Sequence, residues 1–193
     1  MKHAVIYIPG LGDSRVGGQR WAVKAWRLWG VESQLLQMNW AEGTFQPKFD
    51  HLLALIDELA KTHQVSLVAA SAGATAAMNA FAARKDVVTG VVCIAGKINY
   101  PEHIGQGYKR QNPAFWESAQ LTPEALTHLG PTERRRILSI RARYDPVVSA
   151  ADSKLAGAVN RVTWTMGHVT TIATQLLFGA PRFLRFLKRQ TTP

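Results

Sequence analysis

The stretch Val65-Ser66-Leu67-Val68-Ala69-Ala70-Ser71-Ala72-Gly73 decides the fold that this sequence predicts. Its first five residues are mostly apolar and predict a buried strand, whereas the Ala-rich stretch that follows, to about Ala83, predicts a helix. Ser71 falls at the turn between the two, with small residues two positions before and after it. A strand that leads directly into a helix is typical of a parallel sheet covered by helices.

The rest of the chain repeats this alternation of short apolar runs and helical stretches. The predicted strands are Val5–Ile8, Gln34–Met38, Val65–Ala69, Val87–Ala95, Ile137–Ala142 and Val162–Met166. The run Val87–Ala95 is apolar almost throughout, so both faces of that strand must be covered. The sequence therefore predicts an α/β fold: one doubly wound, mostly parallel sheet of about six strands, with helices on both faces.

Helices are predicted by apolar residues at helical spacing. The first has Trp21, Ala25 and Leu28 on one face, and the second runs from Pro47 to about His63. A short helix is predicted over 149–157, and a C-terminal helical stretch is predicted to break at Gly179-Ala180-Pro181. The amphipathic residues Phe183–Arg189 predict a helix docked on the sheet, with binding to a membrane surface as the alternative.

Length and composition limit the classes of protein. With 193 residues the chain is expected to form a single domain, 1–193. Its net charge is +10, but the basic residues are scattered and accompany no nucleic-acid-binding motif, so no nucleic-acid partner is expected. No apolar run is long enough for a transmembrane helix, and the first apolar run predicts a strand rather than a signal peptide. With Cys93 as its one cysteine, the chain is expected to be cytoplasmic and to contain no disulfide.

Three polar residues each follow the end of a predicted strand: Ser71, Asp145 and His168. A serine hydroxyl is a poor nucleophile unless a base lies within hydrogen-bond reach and a third group orients that base. Because the carboxyl ends of parallel strands meet at one edge of a sheet, these residues are expected to lie close together. Taken singly, each also fits a structural role: a capping serine, an Asp-Pro turn and a histidine that starts a helix.

Ala69-Ala70-Ser71-Ala72-Gly73 resembles the nucleophile elbow of the α/β-hydrolase superfamily, Gly-x-Ser-x-Gly, with alanine in place of the first glycine. The segment around Asp145, which continues Pro-Val-Val, is similar to the acid loop of that family, and Gly167-His168 is similar to its histidine loop. The chain order Ser, Asp, His is also the order of this family. The resemblance implies that Ser71 attacks the substrate, His168 transfers the proton and Asp145 orients His168.

The loop after the first strand, Pro9-Gly10-Leu11-Gly12-Asp13, resembles the oxyanion loop of the same family. The resemblance implies that the backbone amides of Leu11 and Ala72 stabilise the negative oxygen of a tetrahedral intermediate. The alternative, a dinucleotide-binding loop, lacks its third glycine because Arg15 stands at that position.

Residues 96–131 are where larger members of the family insert a cap, and here they predict a small cap-like insertion. Two helices are predicted, Asn112–Ala119 and Pro123–Leu129, the second with Thr122 as its N-cap. Substrate-binding candidates are the aromatic residues Trp40, Tyr100, Phe115 and Trp116, which instead pack the core in the alternative interpretation. Lys97 is a candidate to face the site and to favour an anionic substrate.

The sequence thus predicts a serine hydrolase that cleaves a small-molecule carboxylic ester or thioester through an acyl-enzyme. The resemblance implies that neither a metal nor an organic cofactor is needed. Two alternatives stay open: an acyltransferase or peptidase that uses the same three residues, and a non-catalytic binding or scaffold protein on the same fold. The sequence does not predict the natural substrate or the oligomeric state.

Overall fold

A computed structural model describes residues 1–190 of the chain, so the last three residues of the expected 1–193 domain lie outside the described residues. Within this part, six strands form one sheet: β1 (Lys2–Ile8), β2 (Glu32–Leu35), β3 (His63–Ala70), β4 (Val88–Ile94), β5 (Ile137–Tyr144) and β6 (Val159–Met166). Their order is β2-β1-β3-β4-β5-β6, and neighbouring strands pair in parallel. The sequence-based prediction of a doubly wound α/β sheet is therefore confirmed.

Helices cover both faces of the sheet. They are α1 (Gly17–Ala25), α2 (Gln46–Ala60), α3 (Gly73–Ala83), α4 (Gln106–Gln111), α5 (Pro113–Thr127), α6 (Pro131–Arg135), α7 (Ala150–Ser153), α8 (His168–Thr174) and α9 (Ala180–Lys188). One core contains α2, α3 and α5, with Ile56 and Phe81 fully buried, and the other contains α1 and α9. Alternate residues of β3 point to opposite faces, since Leu67 belongs to the first core and Val68 to the second.

The first helix buries a different face from the one that the sequence predicted. Trp21 and Leu28 are 68% and 77% exposed, whereas Ala22, Val23 and Trp26 are buried. Within α1 the sheet is contacted by Ala22 and Val23 instead of Trp21. For Leu28 the reason is that α1 ends at Ala25 and the chain tightens into a 3-10 turn at Trp26, which changes the direction of the later side chains. The Trp26 indole N–H donates to the carbonyl of Leu176 at 3.1 Å, which fixes the ring against the C-terminal helices.

The predicted boundary at Thr122 is wrong, because α5 runs unbroken from Pro113 to Thr127 with Pro123 in its interior. Thr122 is buried and is not an N-cap; its hydroxyl donates to the carbonyl of Ser118 at 2.9 Å. Packing against α3 keeps α5 helical across the proline: Asn79 of α3 donates to the same carbonyl at 2.9 Å. Tertiary contacts thus outweigh the local preference of proline to end a helix.

The predicted C-terminal break is also wrong. Residues Gln175–Gly179 form a π-helical turn that joins α8 to α9, and Pro181 lies in the first turn of α9. A missing amide costs little at that position. The α9 side chains Phe183, Leu184 and Leu187 are buried against the sheet, as in the docked interpretation of this segment. In the part of the chain that is described, no helix is long and apolar enough to cross a membrane.

A buried polar chain lies at the amino end of the sheet, opposite the predicted site. The His3 Nε2 atom lies 2.9 Å from the Ser66 hydroxyl, which in turn lies 2.7 Å from the Thr89 hydroxyl. Thr89 donates to the carbonyl of Val65 at 3.1 Å, so the chain is satisfied when Ser66 donates to Thr89 and neutral His3 donates to Ser66. Burial, assisted by the charge of Lys188, lowers the pKa of His3 to about 4.

This histidine predicts a loss of stability in acid. The unfolded chain binds a proton at His3 near pH 6.5, whereas the folded chain does so only near pH 4, so the free energy of unfolding falls as the pH drops between these values. The loss approaches about 3 kcal/mol, since a tenfold change in proton affinity corresponds to about 1.4 kcal/mol. Urea unfolding at pH 7 and pH 4.5 should show a smaller difference in His3→Gln than in the wild type. An unchanged difference would contradict this role of His3.

Candidate active site

Ser71, His168 and Asp145 meet at the carboxyl edge of the sheet. The Ser71 Oγ atom lies 2.8 Å from His168 Nε2, and His168 Nδ1 lies 2.8 Å from Asp145 Oδ2. An ionised carboxylate can only accept hydrogen bonds, so Nδ1 carries the hydrogen and Nε2 accepts the Ser71 hydroxyl proton. The geometry therefore joins a hydroxyl, a base and a carboxylate in one chain of hydrogen bonds.

Backbone amides and a glycine hold the acid and the base in place. The second oxygen of Asp145, Oδ1, accepts the amides of Val147 at 2.8 Å and Val148 at 3.0 Å. Gly167 has a φ of +93°, which a side chain would disfavour, and this turn starts α8 at His168. The side chains of His168 and Asp145 are only 10% and 6% exposed, so water competes weakly for their hydrogen bond.

Ser71 sits in a strained turn between β3 and α3. Its φ of +51° lies in the left-handed region, which is unfavourable for a residue with a side chain. Two hydrogen bonds to neighbouring backbone hold it there: the Ser71 amide donates to the carbonyl of Ile94, and the Ser71 carbonyl accepts the amide of Lys97, both at 3.0 Å. The turn thus presents the hydroxyl above the sheet edge.

The loop after β1 passes directly beside this serine. A Cβ atom at Gly10 would lie 2.7 Å from the Cβ of Ser71, so only glycine allows the approach. The carboxylate of Asp13 accepts the amides of Met38 and Asn39, each at 2.7 Å, and anchors the end of the loop. Within residues 1–190, the amides of Leu11 and Ala72 have no hydrogen-bond acceptor.

A cavity of about 150 Å³ opens beside Ser71. Its walls are mostly apolar, and Lys97, His103 and Asp152 form a polar cluster in one of them. The lining residues are Leu11, Ser71, Ala72, Lys97, His103, Ile104, Gly105, Tyr108, Phe115, Val147, Val148 and Asp152. Of the predicted substrate-binding residues, Phe115 and Lys97 therefore border the cavity together with Ser71, Leu11 and Ala72.

The other three aromatic candidates lie elsewhere. Trp40 is fully buried, where its indole N–H donates to the carbonyl of Pro9 at 3.1 Å and its ring packs edge-on against Phe115. Trp116 is half-buried beneath the ammonium of Lys109, 3.8 Å from the ring centroid. Tyr100 is partly exposed outside the cavity and stacks on the ring of His103, with the centroids 5.0 Å apart. Trp40 and Tyr100 therefore support wall residues of the cavity, and none of the three rings lines it.

Lys97 lines the cavity, but its charge is paired. Its ammonium forms a buried ion pair with Asp152 and donates to the carbonyl of Tyr100 at 2.8 Å. Because the adjacent carboxylate neutralises it, Lys97 does not offer the free positive charge that the predicted preference for an anionic substrate requires.

The polar pair His103 and Asp152 was not among the predicted site residues. Forty-nine positions separate the two, so no local spacing connects them. One signal was available, since Ser149 and Asp152 have the Ser-x-x-Asp pattern of a helix start, and the Ser149 hydroxyl does accept the Asp152 amide at 3.1 Å. Among residues 1–190, no group of three or more His, Cys, Asp or Glu side chains is arranged to hold a metal ion.

Comparisons with known proteins bear on the fold. No protein-family model matches the chain, and neither does any curated protein. Solved structures do: Est1E from Butyrivibrio proteoclasticus has a TM-score of 0.69 at 15% identity, covering 98% of this chain and 89% of its own. A dienelactone hydrolase from Anabaena variabilis has a TM-score of 0.67 at 18% identity, covering 98% and 87%.

A third similar structure is the ydeN gene product from B. subtilis, with a TM-score of 0.61 at 17% identity, covering 97% of this chain and the whole of its own. A fourth is an α/β-superfamily hydrolase from Xanthomonas campestris, with a TM-score of 0.63 at 14% identity, covering 97% of each chain. At these identities the likeness concerns the fold alone, and it extends over nearly the whole chain. The chain has the α/β-hydrolase fold.

Proposed function

We propose that this protein is a serine hydrolase that cleaves a small carboxylic ester or thioester through a covalent acyl-enzyme. The observation that carries the proposal is the hydrogen-bonded chain from the Ser71 hydroxyl through His168 to Asp145, with 2.8 Å at both steps. The dienelactone hydrolase of similar fold supports a hydrolase. The thioester alternative has the support of the RedJ thioesterase from Streptomyces coelicolor, which has a TM-score of 0.55 at 13% identity.

The reaction begins when the Ser71 oxygen attacks the carbonyl carbon and its proton passes to Nε2 of His168. The carbonyl oxygen becomes negative and is stabilised by the amides of Leu11 and Ala72, which have no acceptor in the described part of the chain. Asp145 stays ionised and stabilises the imidazolium. When the tetrahedral intermediate collapses, the bond to the leaving oxygen or sulfur breaks, and the leaving group takes the proton from His168.

The second half of the reaction repeats these roles with water. His168 takes a proton from the water molecule, whose oxygen attacks the acyl-enzyme, and the second intermediate releases the carboxylic acid as His168 returns the proton to Ser71. These steps use only side chains and amides of this chain. A cavity of about 150 Å³ is below the usual range of small-molecule sites, roughly 300–1,000 Å³, which favours a short acyl group.

Labelling by a fluorophosphonate probe tests the proposal. The probe phosphorylates a serine only when a base activates that serine, so the folded wild-type protein should be labelled, and mass spectrometry should locate the label on the peptide that contains Ser71. Pretreatment with a short-chain ester in excess should slow the labelling. A folded protein that stays unlabelled would favour the alternative, a binding or scaffold protein on the same fold.

The remaining sequence-based expectations, a cytoplasmic location and a single domain with a cap-like insertion at 96–131, accompany this proposal as predictions. The residues of that insertion that border the cavity are Lys97, His103, Ile104, Gly105, Tyr108 and Phe115. An acyltransferase would use the same first half-reaction and differ only in the molecule that accepts the acyl group from Ser71. Release of the free carboxylic acid, with water as the acceptor, therefore supports a hydrolase.

A further inference from the structure

A second Asp–His pair borders the same cavity as Ser71. The His103 Nδ1 atom lies 3.1 Å from Oδ1 of Asp152, and both side chains line the cavity. The pair repeats the arrangement of Asp145 and His168, in which a carboxylate holds Nδ1 and leaves Nε2 for another group. The proposed reaction does not use it.

Several donors hold Asp152 as a carboxylate. Its side chain is only 7% exposed, and burial alone would raise its pKa, but hydrogen bonds from Lys97 and from the Ser149 hydroxyl at 2.7 Å outweigh burial and lower the pKa. The ion pair with Lys97 is further fixed because the Lys97 amide donates to the carbonyl of Ser71. Asp152 is therefore a rigid, ionised acceptor tied to the turn that carries the nucleophile.

The state of Asp152 determines the tautomer of neutral His103. Because the carboxylate only accepts, Nδ1 carries the hydrogen and Nε2 carries the lone pair. Nε2 has no partner in the described part of the chain, and the side chain is 52% exposed. The ring is also held from one side by the stacked ring of Tyr100. His103 thus presents an oriented hydrogen-bond acceptor at a cavity whose other walls are mostly apolar.

We propose that His103 is a substrate-binding residue whose Nε2 accepts a hydrogen bond from a hydroxyl group on the substrate. The substrate class is a short ester that carries a hydroxyl in its acyl or alcohol part, and this inference rests on the proposed function of Ser71. A carboxylate substituent is disfavoured, because the charge of Lys97 is already paired and the Asp152 carboxylate itself faces the cavity. Ile104, Phe115 and Val148 provide apolar contacts for the carbon skeleton.

Two pairs of isosteric esters test this inference. Ethyl 3-hydroxybutyrate is compared with ethyl 3-methylbutyrate, and 2-hydroxyethyl butyrate with propyl butyrate, so that a hydroxyl replaces a methyl group in the acyl part or in the alcohol part. Hydrolysis is followed by pH-stat titration at pH 8.5, where histidine side chains are ordinarily neutral. The wild type should favour the hydroxylated ester of at least one pair by about tenfold in kcat/KM, because one well-placed hydrogen bond is worth about that factor.

Variants of His103 identify the acceptor. In His103→Phe, which keeps a ring to stack on Tyr100 but has no acceptor, the ratio for the favoured pair should fall to about one. His103→Gln, whose amide oxygen can accept, should restore part of the preference. His51, an exposed histidine of α2, supplies the matched control, and His51→Phe should keep the wild-type ratio.

The outcomes separate this inference from the proposed function. Three results would overturn the role of His103 while leaving Ser71 as the nucleophile. The first is that the wild type hydrolyses both esters of each pair at equal kcat/KM, and the second is that His103→Phe keeps the wild-type ratio. The third result is faster hydrolysis of monoethyl glutarate than of either hydroxylated ester. If all of the esters resist hydrolysis and the fluorophosphonate probe does not react, the proposed function itself fails.

Discussion

Ser71→Ala should abolish fluorophosphonate labelling and lower kcat/KM for p-nitrophenyl acetate by about 10³-fold or more, and His168→Ala should lower it nearly as much. The serine oxygen forms the covalent bond, and its proton has one acceptor at 2.8 Å, Nε2 of His168. Without either group the attack has no efficient first step. The activity that remains reflects the oxyanion donors and substrate binding alone.

A variant that combines both substitutions tests whether Ser71 and His168 act in the same step. Ser71→Ala and His168→Ala together should cost little more than either change alone, because two residues that act on one proton transfer are not additive. His128→Ala, at an exposed position after α5, is the matched control and should keep the wild-type rate. Initial rates at several ester concentrations provide the measurement. Normal turnover in His168→Ala would contradict the assignment, and His103 would then be the next base to test.

The placement of the three polar residues at one edge of the sheet could be predicted from the sequence, because it depends on residues that are close together in the chain. Ser71, Asp145 and His168 each follow an apolar run, and parallel strands bring their carboxyl ends together whatever lies between them. The small residues around Ser71 and the glycine before His168 are further local signals. The same reasoning gave the strand number, which the structure confirms.

The walls of the cavity could not be predicted in this way. Trp40, Trp116 and Phe115 are chemically similar in the sequence, and only packing decides that Phe115 borders the cavity while Trp40 is fully buried behind it. His103 and Asp152 meet only after the chain has folded, since α7 places Asp152 beside the loop that follows β4. Composition and periodicity carry no information on such long-range pairs.

The positions two residues before and two residues after Ser71 differ in the side chains that they can accommodate. At Ala69, where the family pattern has its first glycine, the residue lies in β3, and its methyl group packs in the core beside the neighbouring strands. At Gly73 a Cβ atom would lie 2.3 Å from the carbonyl oxygen of Ile8 and 2.8 Å from that of Pro9. The first position therefore accepts alanine, whereas the second requires glycine because α3 starts in contact with the end of β1.

Gly73→Ala should accordingly impair both folding and chemistry. The added methyl group meets backbone rather than a flexible side chain, so β1 or α3 must move, at a cost of about 1–3 kcal/mol or more in the free energy of unfolding. The same displacement separates Ser71 from the loop at Gly10, and a shift of about 1 Å at a reacting group costs about 100-fold in rate. We expect a labelling rate lower by about that factor even at temperatures where the variant stays folded.

Gly17→Ala is the matched control for this change. Gly17 begins α1, a Cβ atom there meets no other atom within 4 Å, and its φ is not positive, so the same substitution should leave both stability and labelling near wild type. Urea unfolding measures the first effect, and the rate of fluorophosphonate labelling of the folded fraction measures the second. If Gly73→Ala matched Gly17→Ala in both, the contact between α3 and the end of β1 would not be what fixes the position of Ser71.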